Sequence, residues 1–297
     1  MSTFKQLAII GPTASGKTAL AVKVAHKLGA HILSLDSLSI YKEIDIVSAK
    51  PTGEERQGII HFGIDHLYPN ESFAVTTYID LYTQIKEKCQ KEKKNLVIVG
   101  GTSFYLKMLI EGISPRPSLT ITQSGEIAHL MQSPSDTYRM LTIIDPDYMK
   151  HIEPGDTYRI HKALEIYIAT GEKPSTYFAS HPPTAVIREP LDIYEIVWER
   201  EVLRKRIRLR TEQMLQEGLI DEIIALENKY TRAPNCMKAI GIKETLMYLD
   251  GIYDKEILVE KIAVNTGRLA KRQVTFNNSQ FENVVKGSLE TLEKILL

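Results

Sequence analysis

Residues 11–18 read Gly11-Pro12-Thr13-Ala14-Ser15-Gly16-Lys17-Thr18, and they stand between the apolar run 7–10 and the helix-forming run 19–25. This order of strand, glycine-rich loop and helix matches the phosphate-binding pattern G-x-x-x-x-G-K-[ST]. Glycines let backbone N–H groups curl around phosphate oxygens, and the helix N-terminus adds partial positive charge. An ordinary tight turn is the alternative, but the flanking strand and helix argue against it. The stretch therefore predicts a diphosphate or triphosphate site, with Lys17 on the terminal phosphate and the Thr18 hydroxyl on Mg²⁺.

A second apolar run, residues 31–35, follows the first predicted helix closely and ends at Asp36. Such a short return is typical of a βαβ unit with a parallel sheet. Asp36 then lies at the carboxyl edge of the sheet, where ligands bind in open α/β folds. Asp is also common after a strand as a cap or turn residue. Position alone leaves a functional role and a capping role for Asp36 equally open.

A third buried-strand pattern, residues 95–99, runs into Gly100-Gly101-Thr102. In phosphate-loop NTPases a strand of this kind usually ends in an Asp that holds Mg²⁺, and its absence here weakens an interpretation as an ATPase or GTPase. Two glycines at a strand end allow close approach to the backbone. Thr102 is either the cap of the following helix or a hydroxyl at the same sheet edge as Asp36.

Clusters of proline and other helix-breaking residues divide the chain. Proline-rich segments near residues 115 and 190 enclose a stretch with a helical pattern and no good strand. We therefore predict an α/β protein with a P-loop NTPase-like parallel sheet core, residues 1–115 and 190–297, and a helical insertion domain, residues 116–189. In the second core segment, 200–210 is predicted as a helix dense in Arg and Lys, and further helices are expected over 237–249 and 256–275.

Composition excludes some classes of protein. The chain has 297 residues, of which 43% are hydrophobic and 25% charged, and its formal net charge is zero. Any nucleic-acid surface must therefore come from local clusters of Lys and Arg. The two cysteines form no C-x-x-C pair, and there is neither a signal sequence nor an apolar stretch of membrane-spanning length. We expect a cytoplasmic monomer that does not interact with a membrane.

Seven ordered blocks give a resemblance that spans nearly the whole chain. They are residues 11–18, Asp36-Ser37-x-x-x-Tyr41, Ser48-Ala49-Lys50-Pro51, Gly100-Gly101-Thr102, Asp156-Thr157-Tyr158-Arg159-Ile160, Ala239-Ile240-Gly241 and Leu269-Ala270-Lys271-Arg272-Gln273. Together they resemble the bacterial tRNA dimethylallyltransferases of the IPP transferase family. The resemblance implies transfer of the dimethylallyl group of dimethylallyl diphosphate to N6 of adenosine 37, next to the anticodon in the anticodon stem-loop of tRNA.

The resemblance also implies roles for individual residues. The loop at 11–18, with Lys17 and Mg²⁺, would hold the diphosphate leaving group, and Arg210 matches an arginine that contacts the same group. Asp36 would be the general base for the exocyclic amine, and Thr102 would fix that amine by a hydrogen bond. The adenosine would be flipped out of its stack to reach them.

Transfer RNA contacts carry over by position to residues in the core and in the insert. Ser39, Ser124 and Tyr158 depart from the family pattern, which has glutamine, arginine and often glutamine at these positions. The full set is Asp36, Ser37, Leu38, Ser39, Thr102, Ser124, Tyr158, Arg159, Ile160, His161, Lys162, Lys238 and Lys243.

Two other functions fit parts of the pattern. A small-molecule kinase could use the same loop with ATP, but the basic segments 200–210 and 268–272 and the Gly100-Gly101 pair count against it. A nucleotide-gated RNA-binding protein without catalysis is the third hypothesis, and it explains Asp36 beside a phosphate loop poorly.

Overall fold

A six-stranded parallel sheet forms the centre of the computed structural model, which describes residues 4–297. The strand order is β3-β2-β4-β1-β5-β6, and each pair of neighbours is parallel. The predicted parallel α/β core is therefore confirmed. The strands are β1 (Gln6–Ile10), β2 (Ala30–Leu35), β3 (His61–Phe62), β4 (Asn95–Gly100), β5 (Asp192–Ile196) and β6 (Val285–Gly287).

Helices connect and cover these strands within the described part of the chain. They are α1 (Lys17–Leu28), α2 (Val75–Lys91), α3 (Ser103–Glu111), α4 (Ile121–Leu130), α5 (Pro134–Ile144), α6 (Pro146–Met149), α7 (Thr157–Thr170), α8 (Pro174–Ser180), α9 (Arg200–Gln216), α10 (Leu219–Tyr230), α11 (Ile242–Leu249), α12 (Lys255–Gln280) and α13 (Leu289–Leu296), with a 3₁₀ turn at Asn235–Lys238. None of the helices in residues 4–297 is both long and apolar enough to cross a bilayer.

Both faces of the sheet are buried, which explains why its strands read as nearly continuous apolar runs. In β1, Ala8 and Ile10 belong to one apolar core and Leu7 and Ile9 to the core on the opposite face. Because the strands are parallel, the segments that follow β1, β2 and β4 emerge at one edge of the sheet. These segments contain the predicted phosphate loop, Asp36 and Thr102.

The chain divides into two compact units. One contains the residues up to Ile110 together with Val186–Leu297, and the other is Glu111–Ala185. The second unit contains α4 to α8 and has its own apolar core, to which Ile127, Leu141 and Ile160 contribute.

The helix predicted over 237–249 is wrong in one respect, because the segment is broken. The 3₁₀ turn ends at Lys238 and α11 begins at Ile242. Gly241 between them has φ +93°, and a Cβ there would lie 2.4 Å from Val47 Cγ2. The break therefore results from a backbone conformation and a close approach that only glycine tolerates. In contrast, the helix predicted over 256–275 continues to Gln280 as α12.

Candidate active site

The phosphate loop follows β1 and leads into α1 with an unusual backbone. Gly11 has φ +145° and Gly16 has φ +90°, and a Cβ on Gly11 would lie 2.8 Å from the Ile196 carbonyl oxygen of β5. Ala14 between them also has a positive φ, 61°. A non-glycine residue in this region costs roughly 1–3 kcal/mol and persists where its surroundings hold it.

Two side chains from the segment around the start of α9 hold the loop. Arg206 Nε donates to the Ala14 carbonyl at 2.8 Å, and Trp198 Nε1 donates to the Ser15 carbonyl at 3.0 Å. The Arg206 guanidinium also lies 4.7 Å from the centroid of the Trp198 ring. Since these contacts bind the carbonyl side of the peptides, they fix the loop without using the N–H groups that an anion needs.

Lys17 is the first residue of α1 and is only 9% exposed. Its Nζ donates to the Pro12 carbonyl at 2.6 Å and to Ser15 Oγ at 3.3 Å. The pKa of Lys17 is lowered to about 7, chiefly by burial and further by the charge of Arg210, while the Asp36 carboxylate opposes the shift. An anion bound to this loop would favour the charged amine again.

Arg210 approaches the same loop from α9. Its Nη1 lies 3.4 Å from Thr13 Oγ1, and burial lowers the pKa of the guanidinium, with Asp36 acting against the shift. Two basic side chains are thus held beside one loop, and burial disfavours the charged form of each. A bound diphosphate would supply the negative charge that stabilises the charged forms of both side chains.

Thr18, the predicted Mg²⁺ ligand, is exposed at the second position of α1. Among residues 4–297, no group of three or more His, Cys, Asp or Glu side chains could hold a metal ion. Mg²⁺ prefers oxygen ligands, keeps several waters and commonly binds to one or two protein groups plus substrate phosphates. The exposed hydroxyl fits a shared site of that kind, completed by the oxygens of a bound diphosphate.

Asp36 begins the loop after β2 and is half-buried. Its Oδ1 accepts hydrogen bonds from the N–H groups of Leu38 at 2.8 Å and Ser39 at 3.0 Å. No hydrogen bond to Oδ2 is formed within the described residues. Asp36 therefore stabilises the turn with one oxygen and has the other available for chemistry, so the two roles left open by the sequence are compatible.

Thr102 lies against this turn. Its Oγ1 accepts a hydrogen bond from the Ser37 N–H at 3.3 Å, and its own N–H donates to the Leu35 carbonyl at 3.0 Å. The preceding Gly100 allows this contact, because a Cβ there would lie 2.2 Å from the Leu35 carbonyl oxygen. The glycine pair thus lets the ends of β2 and β4 approach closely enough to join Thr102 to the Asp36 turn.

A cavity of about 420 Å³, which we call the reaction cavity, joins the loop to Asp36. Thr13 and Ala14 of the phosphate loop, Arg210 of α9, Asp36 after β2 and Thr102 after β4 all line it. Ser37 and Leu38 also contribute, and the rest of the wall is largely apolar, including Val47, Ile207, Met214, Ile262, Leu269 and Phe276. Its volume lies within the range of small-molecule sites.

A second, basic cavity of about 860 Å³ shares Ile240, Arg272 and Phe276 with the first. Its cationic side chains come from the 3₁₀ turn, α11 and α12, and are Lys238, Lys243, Arg268, Lys271 and Arg272. Lys238 and Lys243, two of the predicted RNA contacts, are thus placed together. Ser39 is not brought to either cavity, since it is 4% exposed and its hydroxyl pairs with that of Ser34.

The remaining predicted contacts lie in the helical unit. At the start of α7, Tyr158 and Arg159 are exposed and His161 and Lys162 are half-buried. Ile160 is fully buried in the core of this unit, so its side chain offers no surface to a ligand. Ser124 is exposed on α4, where its hydroxyl donates to the Thr120 carbonyl at 3.0 Å.

Some residues that shape the site carry no local signal in the sequence. The carboxylate of Glu222 accepts hydrogen bonds from the N–H groups of residues 45–47, and Lys50 Nζ bonds the Tyr41 carbonyl, Asp45 and Asp65. These contacts hold the segment whose Val47 lines the first cavity. Sequence reasoning also missed Trp198, although it is the single tryptophan of the chain.

Comparison with known proteins gives relatives that cover nearly the whole chain. The profile of a family described as IPP transferase matches residues 39–280. The chain is 63% identical over 293 residues to the tRNA dimethylallyltransferase of a Sulfurovum species, covering 99% of this chain and 97% of that protein. It is 50% identical over 292 residues to the tRNA dimethylallyltransferase of Sulfurimonas denitrificans, covering 98% of each.

Solved structures are similar as well. The full-length tRNA isopentenylpyrophosphate transferase of Bacillus halodurans has a TM-score of 0.72 at 30% identity, with 99% of this chain and 94% of that one covered. A eukaryotic dimethylallyltransferase, captured acting on tRNA, has a TM-score of 0.83 at 26% identity, with coverage of 97% and 75%. The resemblance predicted from the seven blocks is confirmed, and the chain belongs to the IPP transferase family.

Proposed function

We propose that this chain is a tRNA dimethylallyltransferase, which moves the dimethylallyl group of dimethylallyl diphosphate to N6 of adenosine 37 in tRNA. The observation that carries the proposal is the cavity lined by Thr13 and Ala14 of the phosphate loop, by the Arg210 guanidinium beside them, and by the Asp36 carboxylate and Thr102 hydroxyl at the neighbouring strand ends. This layout provides for an anionic leaving group in one part and for a proton-losing nucleophile in another. The family of the chain and the names of its relatives support the same activity.

The donor is bound through its diphosphate in this proposal. Backbone N–H groups of the loop, Lys17 and Arg210 contact the phosphates, and their positive charge stabilises the negative charge that grows as the C1–O bond breaks. The dimethylallyl hydrocarbon lies against the apolar part of the wall, which includes Ile207 and Met214. Mg²⁺, held by Thr18 and the phosphates, would add further charge neutralisation to the leaving group.

The acceptor is a flipped adenine, because N6 is not accessible while the base is stacked. Thr102 holds the exocyclic amine by a hydrogen bond, and N6 attacks C1 of the donor. Asp36 takes the proton that N6 loses as the new C–N bond forms, and diphosphate leaves with the electron pair of the C1–O bond. The hydrogen bonds from Leu38 and Ser39 keep the carboxylate in one orientation for this step.

Transfer RNA binds along the positively charged surfaces. The basic cavity, which carries Lys238, Lys243, Arg268, Lys271 and Arg272, adjoins the reaction cavity and offers a path for phosphates on either side of the flipped nucleotide. Tyr158, Arg159, His161 and Lys162 on α7 supply a further contact with the anticodon stem-loop. We place the reaction in the cytoplasm because tRNA is the substrate.

One experiment separates this function from the two alternatives. The protein is incubated with Mg²⁺, unmodified tRNA and either dimethylallyl diphosphate labelled in its hydrocarbon or ATP labelled in its γ-phosphate. We expect the hydrocarbon label in tRNA, and digestion to nucleosides should locate it on N6 of adenosine. Transfer of label from ATP to a small molecule would favour the kinase, and binding of tRNA with no transfer from either donor would favour the RNA-binding protein.

A further inference from the structure

Gln273 joins the phosphate loop to the strand end that precedes Thr102. This half-buried residue of α12 accepts a hydrogen bond on Oε1 from the Thr13 N–H of the phosphate loop at 2.9 Å. Its Nε2 donates to the Gly101 carbonyl, next to Thr102, at 3.0 Å. A single amide side chain therefore connects the phosphate loop, which binds the leaving group in the proposed function, to the segment after β4, which holds the acceptor. It also lines the cavity itself.

The Gln273 side chain packs directly against Gly101. A Cβ on Gly101 would lie 2.4 Å from Gln273 Nε2, whereas its other near neighbour, the Gly11 carbonyl oxygen, would be at an ordinary 3.6 Å. No positive φ accompanies Gly101. A side chain at residue 101 would therefore require the Gln273 amide to move, whereas the backbone conformation at this residue sets no such limit.

The helix that carries Gln273 is anchored one turn further on. Asn277 is 1% exposed, and its Nδ2 donates to Oε1 of Glu195 at 2.7 Å. Glu195 lies on β5 in register with Ile10, the last residue of β1 before the loop. Asn277 thus ties α12 to the sheet one turn from Gln273, and the Gln273 side chain spans from there to Thr13 and Gly101.

The Thr13 N–H is occupied while this bond exists. It is therefore not one of the loop N–H groups that bind phosphate oxygens, and the contribution of Gln273 is geometric. A displacement of about 1 Å between reacting groups can lower a rate by about 10². The distance between the phosphate loop and Thr102 is of that sensitive kind.

We infer that Gln273 is a positioning residue for the transfer reaction: it sets the distance between the loop that holds the donor diphosphate and the strand end that holds the acceptor amine. The inference rests on the proposed function. It assigns Gln273 no contact with the reacting atoms.

The first test replaces Gln273 by methionine, which keeps the length of the side chain and removes both hydrogen bonds. With both substrates saturating, the single-turnover rate of transfer to tRNA should fall by about 10–10². The KM for the donor and the Kd for tRNA should change by less than about threefold, because the anion-binding and RNA-binding groups remain. Gln213→Met is the matched control, since Gln213 is an exposed amide on α9 that pairs with Glu217 outside both cavities.

A double-mutant cycle provides the second test and does not depend on Gln273→Met folding well. Gly101→Ala alone should displace the amide and lower the single-turnover rate by about 10–10². The same substitution in a Gln273→Ala background should cost less than about threefold, since the obstacle is gone. Equal costs in the two backgrounds would overturn the inference.

The outcomes also separate this inference from the proposed function. If the wild-type protein transfers no dimethylallyl group, the proposed function fails. If the wild type transfers the group and Gln273→Met does so at the same rate, or loses activity only through KM or tRNA affinity, the positioning role fails while the function stands. A rate loss in Gln213→Met equal to that in Gln273→Met would likewise overturn it.

Discussion

The phosphate loop and the start of α7 both carry basic residues, but those of the loop are buried and those of α7 are more exposed. In the loop, Lys17 is 9% exposed, and the surrounding carbonyls and N–H groups are held by Trp198, Arg206 and Gln273. At the start of α7, Tyr158 is 64% exposed, and Arg159 and Lys162 pair with Asp156 and Glu165 on the same helix. The loop is determined by distant parts of the chain, whereas the helix start is determined by its own neighbours.

This difference has an energetic consequence. Buried charges and hydrogen bonds in a site of low dielectric are worth several times their value in water, so small changes there have large effects. Exposed ion pairs contribute typically about 0.2–1 kcal/mol and are screened by salt. Substitutions in the first region should therefore change rates and stability strongly, and those in the second should change mainly the affinity for a polyanion.

The largest effect is expected at Asp36. Asp36→Asn keeps an oxygen that can accept the N–H bonds of Leu38 and Ser39 but cannot take a proton. The rate of transfer should fall by about 10²–10⁴, the usual contribution of a general base, while tRNA binding changes little. Rates under single-turnover conditions and tRNA affinity by filter binding test this expectation. Full activity in Asp36→Asn together with loss in Asp36→Ala would leave Asp36 as a turn-stabilising residue only.

The next effect concerns the close approach of strand ends. Gly100→Ala places a Cβ 2.2 Å from the Leu35 carbonyl oxygen, and the free energy of unfolding should fall by about 1–3 kcal/mol, the usual cost of overpacking. Gly267→Ala is the control in α12, where a Cβ meets nothing within 4 Å. This second change should stabilise the protein by about 0.5–1 kcal/mol, since alanine favours a helix interior. Urea denaturation measures both, and equal signs would contradict the expectation.

A smaller, pH-dependent effect is expected from Lys17. Its pKa is lowered from 10.5 to about 7 in the folded chain, mainly by burial. Between these values the unfolded chain binds the proton and the folded chain does not, so this group makes stability rise with pH. Compared with Lys17→Met, the wild-type free energy of unfolding should rise by at most about 1.4 kcal/mol between pH 8 and pH 9. A difference that stays constant with pH would show that Lys17 remains charged in the folded protein.

The smallest effect is expected at the start of α7. Arg159→Ala should weaken tRNA binding and reduce the slope of log affinity against log salt by about one, as for the loss of one phosphate contact. Arg139→Ala is the matched control, because Arg139 pairs with Asp136 three residues earlier, as Arg159 does with Asp156. Titrations at several salt concentrations measure the slope. Equal slopes for wild type and Arg159→Ala would remove this arginine from the RNA surface.

The sequence by itself determined the phosphate loop, the three strands that end at the site and the identity of Asp36 and Thr102 as candidates. These features are local: glycine spacing, apolar runs and the residue type at a strand end specify them within a few positions. The break in the helix predicted over 237–249 shows the limit of local reasoning, because Val47, which approaches Gly241 closely, belongs to a distant segment.

Only the tertiary structure decided how these parts are held together. Gln273 lies 260 residues from Thr13 along the chain, and Trp198 lies 183 residues from Ser15. Glu222 stabilises the backbone of residues 45–47 from α10. Contacts over such separations leave no periodicity or spacing in the sequence, because they depend on where the packing of whole helices against the sheet places single side chains.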